Sequence, residues 1–269
     1  MKSLGVLGCG RMGSALVLGA VRSGVVEAGK VFLYDIFPGA SASLGESAGG
    51  QIAASAGEVV SKAEVVLLCT KPGDLCPMLE SLAEDSATDG QLFVSIAAGV
   101  TIEAMESALP AGERVVRVMP NTPALVGKGA SAFALGTNAT RDDAETAMAL
   151  LGGVGEVIEV KESLLDAVTG LSGSGPAFVY TFIEAMADAG VLCGLAREQS
   201  LALAAQTVSG AAEMVLQQGE HPAKLRDMVT SPGGTTIAGL AELEANGFRT
   251  AIVKAVRAAT ERSKELGEG

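Results

Sequence analysis

The chain has 269 residues, 35 of them glycine, with 31 acidic against 19 basic side chains, four cysteines, one histidine and no tryptophan. A net charge of −12 argues against a nucleic-acid surface, which needs clustered Lys and Arg, and a single histidine excludes multi-imidazole zinc sites and leaves any Ser-His-Asp hydrolase dependent on His221. A composition 48 % hydrophobic and 19 % charged belongs to a folded chain of one large domain or two ordinary ones.

At the start, Met1-Lys2 leads into a glycine-broken apolar stretch without a small-residue cleavage site, which reads as a first strand and not as a signal peptide. The first 160 residues alternate short apolar runs with alanine-rich stretches of helical period, the pattern of βα units around a parallel sheet. Strands are expected at Leu4–Leu7, Val31–Tyr34, Val65–Cys69, Leu92–Ile96 and Val115–Met119, several of them apolar throughout, as strands covered on both faces should be. Helices are expected at Met12–Ser23, Asp74–Glu84 and Thr101–Leu109, the last opened by Thr101 and Glu103. Ala130–Leu135 and Glu156–Val160 flank a helix-like Arg141–Leu151 and extend the sheet.

From about Ser163 the strand pattern stops. Phe178–Leu192, Glu198–Gln218, Ala223–Val229, Ile237–Asn246 and Arg249–Leu266 all carry helical spacing. The expected architecture is a doubly wound α/β domain over 1–160 and an all-helical domain over 161–269, the boundary set by the change of period. Mean hydropathy is +0.39, yet the longest uncharged run, Ala167–Ile183, contains Ser172-Gly-Ser-Gly-Pro176 and is too short and polar to span a bilayer. Cys9, Cys69, Cys76 and Cys193 form no Cys-x-x-Cys pair, which suits free thiols in a reducing, cytoplasmic setting.

Gly8-Cys9-Gly10-Arg11-Met12-Gly13 links the first strand to the first helix. Gly8 permits a tight turn, Gly10 lets a pyrophosphate approach the backbone, Gly13 allows close packing, and the helix N-terminus favours the anion. The alternative is a glycine-rich turn without a ligand. Asp35, 22 positions after Gly13 at the end of the second strand, can accept hydrogen bonds from an adenosine ribose and would repel a 2′-phosphate, which favours NADH; otherwise it is a solvated loop carboxylate. Lys71, at the carboxyl end of a strand, either touches the cofactor or is merely exposed. Asn121, in Met119-Pro-Asn-Thr-Pro123, either caps a helix, the expectation on local grounds, or bonds a polar ligand.

Leu171-Ser-Gly-Ser-Gly-Pro-Ala-Phe178 breaks the pattern before a long apolar helix and suits close backbone approach to something flat or to another chain. In Ser231-Pro-Gly-Gly-Thr-Thr236, Ser231 can cap a helix with Pro232 in its first turn. The amides of Gly233, Gly234, Thr235 and Thr236 would then converge on a carboxylate-sized anion, with a plain capped helix start as the alternative.

Taken together, Gly8-x-Gly-x-x-Gly13, Lys71-Pro72, Ser95-Ile-Ala-Ala-Gly99, Met119-Pro-Asn-Thr-Pro123, Thr169-Gly-Leu-Ser-Gly-Ser-Gly-Pro176, Gly219-Glu-His-Pro222 and Ser231-Pro-Gly-Gly-Thr-Thr236 closely resemble the pyrroline-5-carboxylate reductases over essentially the whole length. The resemblance implies a Rossmann domain that binds NADPH or NADH, and a helical domain that interleaves in a homodimer, with larger rings such as a decamer. It implies reduction of L-1-pyrroline-5-carboxylate, a small-molecule substrate, to L-proline, with no nucleic-acid or membrane partner and no metal.

By the same resemblance Cys9, Arg11, Met12, Thr70, Lys71 and Pro72 belong with the glycines to the cofactor site, and Ala97, Ala98 and Asn121 lie near the nicotinamide. The amides around Gly234 and Thr235, beside Ser231 and Gly233, would hold the substrate carboxylate, Thr236 would serve the ring nitrogen as the catalytic residue, and Glu162 matches a position near the substrate. His221 is read as structural. Asp35 departs from the family's commoner serine. A related cyclic imine such as piperideine carboxylate stays open as an alternative substrate. A 3-hydroxy-acid dehydrogenase is disfavoured, because Phe178–Leu192 lacks the lysine such enzymes use.

Overall fold

The computed structural model describes residues 1–84, 88 and 90–267. Among these, β1 Leu4–Leu7, β2 Val31–Tyr34, β3 Gln51–Ile52, β4 Val65–Leu68, β5 Leu92–Ser95, β6 Arg114–Met119, β7 Gly129–Leu135 and β8 Gly155–Glu159 form one sheet in the order β3-β2-β1-β4-β5-β6-β7-β8. The chain reverses direction of growth between β1 and β4, the topological switch point where open α/β sheets leave a crevice at their carboxyl ends.

Helices cover both faces. Leu4, Val6, Val65 and Val94 point to one side and bury with Leu16, Val17, Leu44 and Leu150 of α1 Arg11–Arg22, α2 Pro38–Ala48 and α6 Arg141–Gly152. Leu7, Val66, Leu68 and Phe93 point to the other side and bury with Val59, Leu75, Leu79 and Met105 of α3 Ala56–Lys62, α4 Pro72–Glu84 and α5 Ile102–Ala108. This two-sided burial is why β4 and β5 read as unbroken apolar runs, and it makes the domain the expected doubly wound Rossmann type.

One strand departs from the expected parallel sheet: β7 runs antiparallel to β6, with Met119 opposite Ala132. Only Pro120–Lys128 join them, and a parallel return needs a crossover of a dozen or more residues. The next connection contains α6, and β8 is accordingly parallel to β7. Four elements escaped the periodicity reading: β3, α2, α3 and the one-turn α7 Leu165–Val168. The buried stripe of α2 is Ser41, Leu44, Gly45 and Ala48, mostly residues too small to show as an apolar repeat.

The chain divides into two compact units, Met1–Ser174 with the end of the last helix from Ala258, and Gly175–Arg257. The segment after residue 160 stays with the sheet because its side chains are tied there. Leu165, in the short α7 Leu165–Val168, is 1 % exposed. Arg117 on β6 pairs with Glu162, the Asn121 amide donates to the Ser172 carbonyl, and Ser263 donates to Asp166.

The second unit holds α8 Gly175–Leu192, α9 Arg197–Gln218, α10 Pro222–Met228, α11 Thr235–Ala245 and the first half of α12 Phe248–Gly267. α8 and α9 close at Gly190, where a Cβ would strike Ser200, whose hydroxyl donates to the buried Ala187 carbonyl at 2.6 Å. Within this unit only Ala187, Ser200 and Ala204 are buried, while Tyr180, Leu203, Leu216 and Val253 lie in the open. A helical unit this apolar cannot satisfy its own surface and calls for a partner. Among the described residues no helix is long and apolar enough to cross a membrane, and no cluster of His, Cys, Asp and Glu is fit to hold a metal ion.

Candidate functional site

The glycine turn after β1 is built as its residue types require. Gly8 has φ +102°, and a side chain there would meet the Cys69 carbonyl at 2.6 Å. Its amide donates to the Tyr34 carbonyl at 3.0 Å, so β1, β2 and β4 converge on this one residue. Gly13, inside α1, would bring a Cβ within 2.5 Å of the Gly8 carbonyl, so glycine alone lets the helix approach the turn. Gly10 has nothing within 4 Å of its Cβ position. It is the N-cap of α1 and makes no side-chain cap bond, which leaves the first amides of the helix without partners among the described residues, beside open space.

That space is a cavity of about 760 Å³ at the switch point, lined by Gly8, Gly10, Asp35, Thr70 and Lys71 among others. Five of the residues expected at a cofactor are thereby brought together. The Thr70 hydroxyl is buried and has no hydrogen-bond partner among the described residues, and a buried, unsatisfied hydroxyl on a cavity wall is a place for a polar ligand. The exposed Ile36 and Phe37 line the same cavity. Periodicity missed them because they lie in no regular element; two large apolar residues directly after Asp35 were the available signal. Cys9 and Arg11 line a second hollow of about 430 Å³ that shares Gly10.

Asp35 is neither free nor loosely solvated. Its Oδ2 accepts the Cys9 amide at 2.6 Å and its Oδ1 the Phe37 amide at 2.8 Å. The carboxylate is thus anchored into the glycine turn. Lys71 is the one basic residue among those lining this cavity. Burial, then the neighbouring Asp35 charge, pushes the Cys9 thiol up to about 12, and burial likewise raises Cys69. Both are uncharged near neutral pH, which removes them as thiolate nucleophiles.

Ala97, buried, and Ala98, exposed, sit on the loop from β5 to α5, outside the residues that line the two hollows. Asn121 corrects the capping expectation. It stands at the N-cap position of the turn Thr122–Val126 but makes no side-chain cap bond. Instead its Oδ1 accepts the Ala130 amide at 2.8 Å and its Nδ2 donates to the Ser172 carbonyl at 3.0 Å, fastening the start of β7 and the segment before α8. Within the serine-glycine segment Gly173 packs against Met119, where a Cβ would lie 2.7 Å from Met119 Cε. Glu162 uses Oε1 for two bonds, from the Ile102 amide at 2.7 Å and from Arg117 Nη1 at 2.9 Å.

In the other unit the helix starts at Thr235, three residues after a Ser231 cap would start it and two before the Ile237 of the periodicity reading. Ser231 is not its cap. Residues 231–234 form a turn, with the Gly234 amide bonded to the Ser231 carbonyl at 3.1 Å and Gly233 at φ +67°, and Gly234 is the N-cap of α11. The Gly234 amide is thus spent on the turn, and the amides of Thr235 and Thr236 open the helix. A Cβ at 234 would meet the Ser231 hydroxyl, so a larger residue there displaces that side chain. The hydroxyls of Thr235 and Thr236 have no partner among the described residues. His221 is the N-cap of α10, its Nδ1 accepting the Ala223 amide at 3.2 Å, the structural role expected of it.

Comparison with known proteins agrees with this anatomy. Residues 162–266 match the family model for pyrroline-5-carboxylate reductase dimerisation, and residues 3–99 the model described as NADP oxidoreductase, coenzyme F420-dependent. The chain is 46 % identical over 267 residues to the pyrroline-5-carboxylate reductase of Methanosarcina acetivorans, covering 99 % of this chain and 98 % of that one. It is 41 % identical to the Escherichia coli enzyme over 99 % of both. Among solved structures, a pyrroline-5-carboxylate reductase from Coxiella burnetii superposes with a TM-score of 0.94 at 32 % identity over 98 % of both chains. The NADP-bound Plasmodium falciparum pyrroline carboxylate reductase reaches 0.84 at 34 % identity over 98 % of both. Kinship that runs the full length of both partners, on a fold whose glycine turn keeps every required close approach, makes this chain a member of the pyrroline-5-carboxylate reductase family.

Proposed function

We propose that the chain reduces L-1-pyrroline-5-carboxylate to L-proline with NADH or NADPH. The observation that carries this reading is the full-length identity to reductases of that name. Chemistry supports it, since a cyclic imine accepts hydride at the C=N carbon while its nitrogen takes or already holds a proton, and strong acid–base groups are not demanded. Orientation and electrostatics then carry much of the rate. Loss of reduced-nicotinamide absorbance on adding pyrroline-5-carboxylate tests it. A protein that binds NADH but leaves this imine unreduced would overturn the reading.

The cofactor site offers what a dinucleotide needs: an unobstructed Gly10, uncapped amides at the start of α1, and an unsatisfied Thr70 hydroxyl. In this reading Gly8, Cys9, Gly10, Arg11, Met12 and Gly13 surround the pyrophosphate, and Thr70, Lys71 and Pro72 continue the site. Ala97, Ala98 and Asn121 border the nicotinamide. When bound, the reduced nicotinamide supplies the hydride. Asp35 meets the adenosine ribose, and its anchored charge makes NADH at least as good a donor as NADPH.

Residues 1–160 act as the dinucleotide-binding domain and 161–269 as the dimerisation and substrate-binding domain. The amides of Thr235 and Thr236, beside Ser231, Gly233 and Gly234, hold the substrate carboxylate at the start of α11. The Thr236 hydroxyl serves the ring nitrogen, and Glu162 stands near the substrate with Oε2 unengaged. Self-association through the helical region forms a homodimer, and five dimers closing into a decamer extend the same reading. Four free thiols suit a cytoplasmic setting.

A further inference from the structure

The loop that joins β5 to α5 carries Ala97, Ala98 and Gly99, and it is held at both ends by contacts that the cofactor does not make. At its start, Ser95 lies in register with Arg117 on β6, and the Ser95 hydroxyl accepts the Ala97 amide at 3.2 Å. Mid-loop, Gly99 takes φ +80°, with its Cβ position 3.5 Å from the Leu266 carbonyl. At its end, Thr101 caps α5 by accepting the Ala104 amide at 3.1 Å, and the amide of Ile102, the first residue of that helix, donates to Glu162 Oε1 at 2.7 Å.

The same Glu162 oxygen takes Arg117 Nη1 at 2.9 Å. The Arg117 side chain is 11 % exposed and that of Glu162 34 %, so the guanidinium lies largely out of water while the carboxylate keeps one side open to it. A carboxylate at the N-terminus of a helix is favoured by the helix dipole, and a guanidinium on its other flank fixes where that carboxylate stands. Arg117 therefore reaches the end of the loop through Glu162 at Ile102, while its backbone lies in register with Ser95 at the start.

We infer that Arg117 is a positioning residue for hydride transfer, fixing the Ala97–Gly99 loop through Glu162 and the Ile102 amide. The inference rests on the reading that this loop borders the nicotinamide. Displacements of about 1 Å at such a loop lower a rate by about 100-fold without weakening binding in proportion. Loss of Arg117 accordingly acts on kcat and spares affinity.

The test compares Arg117→Met with Arg117→Lys in the full-length protein. Arg117→Met is expected to lower kcat at least tenfold and to raise the primary isotope effect with deuterated NADH. The KM for pyrroline-5-carboxylate and the NADH Kd from fluorescence titration stay within about threefold, and Arg117→Lys restores most of kcat. If Arg117→Met does not fold, Arg117→Gln, which keeps an amide donor towards the Glu162 carboxylate without the charge, carries the same expectation. Unchanged kcat, or a tenfold rise in KM or Kd with kcat kept, overturns the inference. Ala98→Leu separates it from the underlying reading: if that variant turns over and binds NADH like the parent, the loop does not border the nicotinamide. If Ala98→Leu is impaired while Arg117→Met is not, the positioning role alone fails.

Discussion

The amide of Cys9 donates to Asp35 Oδ2 at 2.6 Å, so the carboxylate that ends the second strand is bonded into the glycine turn that begins the first helix. A hydrogen bond to a charged acceptor contributes about 1.5–3 kcal/mol, and a second amide, from Phe37, holds the other oxygen. The negative charge is therefore fixed in the cavity and cannot swing aside for a 2′-phosphate. NADH is expected to support turnover at least as well as NADPH. Asp35→Ser is expected to raise the NADPH-to-NADH ratio of kcat/KM by tenfold or more, about 1.4 kcal/mol. Steady-state kinetics with both nucleotides decide the matter, and a strong NADPH preference in the parent enzyme sinks it.

Gly10 separates binding from folding. Its backbone is extended, at φ −71° and ψ −173°, and nothing lies within 4 Å of its Cβ position. Gly10→Ala is thus expected to melt close to the parent while binding NADH at least tenfold more weakly, because the added methyl occupies the approach to the first amides of α1. Gly8→Ala is the contrast. There φ +102° and the Cys69 carbonyl at 2.6 Å make the substitution strained, and the melting temperature falls as well. Calorimetry in parallel with fluorescence titration reads both quantities.

How far the residues disclosed their own roles depended on whether the role was local. β4 and β5 were legible because strands buried on both faces are apolar at every position. The glycine turn was legible because three glycines at that spacing, between a strand and a helix, answer three separate steric demands. The capping expectation for Asn121 failed because its partners, Ala130 and Ser172, are 9 and 51 positions away, where local sequence cannot point. The start of α11 was misplaced because Ser-Pro is a good cap and first turn, while the left-handed Gly233 holds the helix back three residues. Arg117 went unnoticed, although a charge inside the otherwise apolar run Val115–Met119 was a signal that something must neutralise it.

Thr236 lies in the first turn of α11, its hydroxyl without a partner among the described residues. A group that orients or protonates the ring nitrogen acts on the chemical step. Thr236→Ala is expected to lower kcat by about 10- to 100-fold at saturating cofactor and to leave NADH affinity nearly intact. Thr236→Ser, which keeps the hydroxyl, is expected to recover most of the rate. A collapse of nucleotide affinity in Thr236→Ala assigns the residue to the wrong site.

Leu203 on α9 and Val253 on α12 are 58 % and 66 % exposed within the single chain, in a unit where only three residues are buried. Burying such side chains stabilises by about 1.5–3 kcal/mol each, which an introduced carboxylate reverses. Leu203→Glu combined with Val253→Glu is therefore expected to shift the proposed dimer towards monomer by tenfold or more in dissociation constant and to lower the melting temperature. Sedimentation equilibrium across a concentration series measures the shift, and an unchanged dimer places the interface on other residues of the helical unit.

Cys9 ties stability to alkaline pH. Its thiol, pushed up to about 12 chiefly by burial, stays protonated in the folded chain, whereas in the unfolded chain it ionises near 9. Above that point the unfolded state binds fewer protons than the folded one, so stability falls as pH rises from 9 towards 12, on the order of 1 kcal/mol per pH unit. Lysines and tyrosines titrate in the same range, and a difference measurement cancels them. Cys9→Ala, which has nothing to ionise, is expected to melt with a shallower pH dependence between pH 9 and 11 than the parent, and parallel slopes for the two proteins would show that the Cys9 thiol ionises as readily in the fold as out of it.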